Sequence, residues 1–164
     1  VAFETTATRI WKRLEAADRL EAARALLHEP APDALAAALG AVIRARRLRP
    51  QVARAMPPDQ QAKVLAGVLD PGEPLAASLL VALHLAARRP LLCAFLDALA
   101  LPHEDGVLKE EADALPPPAA DRLAAAVTGL SASFPAGQVH AYLNTLLLQD
   151  PERWAGLADL EPGA

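Results

Sequence analysis

Cysteine is nearly missing from this chain: Cys93 stands alone among 164 residues, which excludes an intramolecular disulfide. Aromatic side chains number only 6, and valine and isoleucine together only 11. A β-sandwich or barrel needs β-branched and aromatic residues to cover its pleated faces, so those architectures are excluded. Long apolar runs are missing as well. The best, Leu75 to Leu85, is broken by Ser78 and His84 and falls short of the roughly 20 residues that span a bilayer. Val1-Ala2-Phe3-Glu4 shows no basic stretch followed by an apolar one, so no signal peptide is expected.

Catalytic signatures are absent too. The chain carries no Gly-x-Gly-x-x-Gly, no phosphate-binding Gly-Lys-Ser/Thr loop, no Gly-x-Ser-x-Gly and no His-Glu-x-x-His. Its three serines, Ser78, Ser131 and Ser133, have no histidine close in sequence. No fixed internal period and no tetratricopeptide or ankyrin pattern runs through it.

What the chain does have is 39 alanines, 29 leucines and 15 prolines. Alanine and leucine are the strongest helix formers. Proline breaks a helix interior but is tolerated at the first helical position. Taken as punctuation, the prolines divide the chain into runs of helical length. Thr6 to His28 is expected to break near Ala17, with Asp18 and Glu21 forming a cap, one long helix being the alternative. Asp33 is the expected cap of a helix running to about Arg47, and Gln51–Met56 reads as a short turn. Helices follow over Asp59–Leu69, Pro74–Arg88 and Leu91–Ala100, the last two apolar on nearly every face and expected to form a central hairpin at Arg88-Arg89-Pro90. A short helix is expected after Gly106, then helices over Ala119–Leu130 and Gly137–Gln149. A final one starts at Asp150-Pro151. The expectation is an all-α fold of about nine to eleven short helices covering roughly 70–75% of one domain, residues 1–164, against a base rate of about a third. The architecture would be a multi-helix bundle with irregular, HEAT-like hairpin stacking as a variant.

Polar residues in such a background mark the places where chemistry could sit. His84 and Asp97 lie in the two most apolar helices, and a buried polar group needs a partner. Asp97 stands four residues after Cys93, hence on one helix face; Arg88 or Arg89 is the expected ion-pair partner of this aspartate. Leu101-Pro102-His103-Glu104-Asp105-Gly106 packs three ionisable side chains between a proline and a turn-forming glycine. There His103 is a candidate base or ligand, and Glu104 and Asp105 candidate orienters. His140 and Asn144 share a helix edge that could bring a second imidazole to His103. These spacings match no short metal motif, so no metal and no cofactor are expected.

Charge is uneven. Residues 1–54 hold 10 basic and 6 acidic side chains, whereas residues 55–164 hold 6 and 14. Arg44, Arg46, Arg47, Arg49 and Arg54 gather at one helix end, where cations complement the helix dipole. The overall net charge of −4 and the lack of interleaved aromatics disfavour nucleic acid. The 13 arginines against 3 lysines, with so much alanine, suggest a bacterial origin, and the lone cysteine a cytoplasmic one. The expected function is a non-enzymatic interaction or scaffolding module with a protein partner or a second copy, and no membrane. Trp11, Tyr142 and Trp154 would be its anchors. The alternative is a small enzyme or metal-binding protein that uses His103, Glu104 and Asp105 with His84 or His140.

Overall fold

A computed structural model describes residues 6–28 and 30–160. Of these, 73% are helical, in ten α-helices and one 3-10 segment. Two compact units divide them, residues 6–87 and residues 88–160. No single helix among the described residues is long and apolar enough to cross a membrane.

The first unit contains α1 (Ala7–Arg13), α2 (Ala16–His28), α3 (Pro32–Arg46), α4 (Pro50–Ala55), α5 (Pro58–Ala66) and α6 (Glu73–Ala87). Proline opens α3, α4 and α5 and stands second in α6, where its fixed φ suits the first turn and its missing N–H is not needed. The break between α1 and α2 falls at Leu14–Glu15, close to the expected place. Pro32 opens α3 one residue before Asp33, so Asp33 lies in the first turn and does not cap. The segment expected to be a turn, Gln51–Met56, folds instead as most of α4. The buried Gln61 amide holds its end, donating to the carbonyls of Ala53 at 2.9 Å and Met56 at 3.0 Å.

Packing in this unit centres on α6, which lies against α1, α2 and α3, while α2 also packs on α5. Ala22 and Ala23 of α2 and Ala76 of α6 are fully buried; side chains this small let helices approach closely. Trp11 is wholly buried and its indole N–H donates to the Val68 carbonyl at 2.8 Å. Burial of a side chain that size is worth about 4–6 kcal/mol from its area of roughly 150–250 Å². Glu73, first in α6, reaches back to the start of α1. Its carboxylate accepts the N–H of Ala7, the N–H of Thr8 at 3.2 Å and the Thr8 hydroxyl at 2.9 Å. A residue 66 positions away thus supplies the acceptors that the first turn of α1 lacks.

The second unit holds α7 (Arg89–Ala98), a two-stranded hairpin of β1 (His103–Glu104) and β2 (Val107–Leu108), the 3-10 segment Glu110–Ala114, α8 (Ala120–Ser133), α9 (Ala136–Gln149) and α10 (Ala155–Ala158). Here α8 packs on α7, α9 and α10. Thus α6 and α7, expected as one hairpin, each find packing partners within their own unit. Phe95 sits between two buried aromatics, edge-on to Tyr142 at 5.7 Å and tilted against Trp154 at 5.6 Å between ring centroids. Asp150 caps the turn ahead of α10, accepting the Arg153 N–H at 3.0 Å, so this helix starts later than Pro151.

The hairpin occupies the residues on either side of Gly106, and the short helix expected after that glycine comes just past its second strand, as the 3-10 segment Glu110–Ala114. Asp105 and Gly106 both take positive φ, 50° and 81°, as a two-residue hairpin turn requires. His103 pairs across it with Leu108 and Glu104 with Val107. Gly106 is needed twice over, because a Cβ there would lie 2.6 Å from the Cβ of Leu92.

Candidate functional site

The helical scaffold carries each candidate to a definite place. Asp97 is not stranded in apolar surroundings, as its neighbours in sequence suggested. It lies in the last turn of α7 with a side chain 73% exposed. The hairpin folds back over that turn and brings His103 to it, with His103 Nε2 3.0 Å from Asp97 Oδ1. The Gly106 N–H donates to His103 Nδ1 at 3.2 Å. An imidazole nitrogen that accepts an N–H bond carries no proton, so the proton sits on Nε2 and is donated to the carboxylate. Arg89, one expected partner of Asp97, donates instead to the Asp105 carbonyl at 2.7 Å.

This geometry decides what the 101–106 loop can do. Both ring nitrogens of His103 are taken, one by a carboxylate and one by the backbone of its own turn, and its side chain is only 13% exposed. To act as base or ligand it must first open one of those bonds. Glu104 and Asp105 are exposed, and neither orients the ring. His140 is not among the polar partners of His103. Asn144, expected at a helix edge beside His140, is wholly buried, and its side-chain amide donates to the His140 carbonyl at 2.7 Å. His84 is buried in α6 of the other unit. Among the described residues no group of three or more histidines, cysteines or carboxylates is placed to hold a metal ion. Cys93 is half-buried beside Tyr142, and burial, with this cysteine nearby, pushes the Tyr142 phenol well above its ordinary value.

The aromatic anchors expected at a surface are also spent inside. Trp11, Tyr142 and Trp154 are all buried, because a chain with so few large side chains uses them to fill its cores. A different surface stands out. An open groove of about 400 Å³ in the first unit is lined by Arg46, Leu48, Met56, Gln60, Lys63 and Val64. Its walls are the end of α3, the end of α4 and one face of α5. Arg47 closes α3 in the left-handed conformation, with φ 53°, and turns the chain from α3 into α4. One helical turn before Met56, α4 exposes Val52, which is 51% accessible.

The electrostatics of this surface are unbalanced. Arg44, Arg46, Arg47, Arg49 and Arg54 are all exposed, and among the described residues none of them makes an ion pair. The neighbouring cations differ. Arg24 and Lys63 both bind Asp59, each at 2.7 Å, and these bonds, that of Lys63 first, hold its carboxyl below the usual carboxylate range. The cluster was visible in the sequence as five arginines within eleven residues; the groove was not, because Lys63 and Val64 join it only through packing of α5. No family model, curated protein or solved structure matches this chain.

Proposed function

We propose that the chain is a non-enzymatic protein-interaction module that binds through the α3–α4–α5 surface. One observation carries this: a groove lined by Arg46, Leu48, Met56 and Val64 lies in the α3–α5 stretch that also carries the exposed Arg44, Arg47, Arg49 and Arg54, and among the described residues these five arginines make no ion pair. Aliphatic lining beside exposed cations is the make-up of a protein docking surface, where aliphatic contact supplies affinity and charge supplies steering. The engaged state of His103 supports the same conclusion, since the most chemically suggestive loop is spent on holding a hairpin against α7. Among the described residues no large exposed aromatic stands beside the arginines to stack on bases, which favours protein over nucleic acid.

The test compares immobilised wild-type chain with the double substitution Arg49→Glu, Val52→Asp in capture from an extract, with bound chains identified by mass. Both replaced side chains are exposed, so the fold is expected to survive, and circular dichroism checks that. The proposal expects protein partners retained by the wild type and depleted at least about tenfold by the variant, as charge reversal at a steering surface produces. Equal capture by both, no capture by either, or retention of nucleic acid alone overturns it.

A further inference from the structure

The same surface has its complement on this chain. The segment from Glu104 to Leu115 carries Glu104, Glu110 and Glu111, all exposed and, among the described residues, without ion pairs. Within it Val107 is 47% and Leu115 42% accessible, two of the four large apolar side chains that the described chain leaves most open. Lys109 is its one cation. The two units differ accordingly: residues 6–87 hold 11 basic and 8 acidic side chains, and residues 88–160 hold 5 and 10. Each surface therefore offers what the other lacks, exposed aliphatic contact plus unanswered charge of opposite sign.

From this complementarity we infer that the occupant of the arginine groove is a second copy of this chain, which inserts its Glu104–Leu115 segment. Val107 and Leu115 cover Leu48, Val52 and Met56, while Glu104, Glu110 and Glu111 face the arginines. The two surfaces are different patches, so the contact is head-to-tail, and each copy keeps one groove and one acidic segment available for the next. Assembly then continues as a chain or closes as a ring. This rests on the interaction proposed above and names its partner. The two fail separately: the capture experiment counts every retained protein, further copies of this chain included, so retention of other chains alone overturns the second copy as occupant and leaves the docking surface standing.

Sedimentation velocity of the purified chain across a concentration series provides the test. Two surface variants accompany it: Arg46→Glu, Arg49→Glu, Arg54→Glu, and Glu104→Lys, Glu110→Lys, Glu111→Lys. Wild type should associate reversibly, at least about tenfold more weakly in high salt, where the screening length shrinks to roughly a third. Each variant alone presents like charges at both surfaces and should stay monomeric. Mixed in equal amounts, the variants present opposite charges again and should associate with one another. That recovery requires both to be folded, so loss through misfolding cannot imitate it. A wild type monomeric at every concentration overturns the inference. So do variants that associate as wild type does, and a mixture that stays monomeric.

Discussion

Gly106→Ala should destabilise the second unit by more than any other glycine-to-alanine change in it whose new Cβ meets open space. Two separate costs combine at this position. Its φ of 81° is in the left-handed region, where a Cβ costs about 1–2 kcal/mol. The new Cβ would also stand 2.6 Å from the Leu92 Cβ, with Cδ2 and Cγ of the same side chain at 3.3 and 3.5 Å. Leu92 Cβ is fixed to the backbone of a buried helix and cannot swing aside, so relief requires the hairpin to lift off α7, at an overpacking cost of about 1–3 kcal/mol. Together these give a loss of roughly 2–5 kcal/mol. Gly129, inside α8 with nothing within 4 Å of its added Cβ, is the control in the same unit. Its replacement by alanine should stabilise by up to about 1 kcal/mol through helix propensity. Denaturant unfolding read by tryptophan emission measures both. In a Trp11→Phe background Trp154 is the sole tryptophan and reports on the second unit alone. Adding Leu92→Ala to Gly106→Ala should give no rescue, since alanine keeps the offending Cβ. A Gly106→Ala protein as stable as wild type, or rescue by Leu92→Ala, would refute the reasoning.

Three further outcomes follow from local geometry. Burial pushes Glu73 upward, but the N–H groups of Ala7 and Thr8 and the Thr8 hydroxyl outweigh that and lower it below the ordinary 4.5. Because its folded value is depressed, its stabilisation is complete above the unfolded value and is lost as pH falls through the folded one. Glu73→Gln should therefore cost about 0.5–2 kcal/mol at neutral pH, as for a lost cap, with the gap from wild type closing in acid; a gap independent of pH contradicts this. Tyr142 is the sole tyrosine, so absorbance near 295 nm reads it directly. Burial, then Cys93, holds its phenol far above 10, and the folded protein should show no ionisation step at the usual pH. The stability this represents is present below the unfolded value near 10 and declines above it. Finally, Ala100 ends α7 with φ 54°, while the Leu101 N–H reaches the Leu96 carbonyl at 3.0 Å. This is a helix stop that glycine favours, so Ala100→Gly should raise stability by about 1 kcal/mol in thermal unfolding.

Most of the helical layout was legible in sequence because proline acts locally. Pro32, Pro50 and Pro58 open helices for a reason contained in one residue's ring. Gln51–Met56 was misread because Pro50 and Pro57 frame so short a run; its helix is secured by Gln61, a tertiary partner that no local pattern announces. The hairpin had a signal, Asp-Gly between His-Glu and Val-Leu, but the short strands gave too little alternation to compete with the helical background. Asp97 and His103 both stand out in the sequence as ionisable groups in an apolar background, yet their pairing depends on the hairpin folding back over α7. Trp11, Tyr142 and Trp154 were misplaced at the surface because a general preference of interfaces for aromatics was applied to a chain that needs all three for its cores. The arginine cluster was read correctly as a cluster. That its members make no ion pair among the described residues is a fact about the surrounding surface, and only packing reveals it.

Hydrogen–deuterium exchange of the wild-type chain at dilute and at high concentration tests the central claim most directly. The account predicts concentration-dependent protection in two stretches, Leu48–Val64 and Glu104–Leu115, abolished in parallel by added salt. Identical exchange at both concentrations, or protection confined to other parts of the chain, would contradict it.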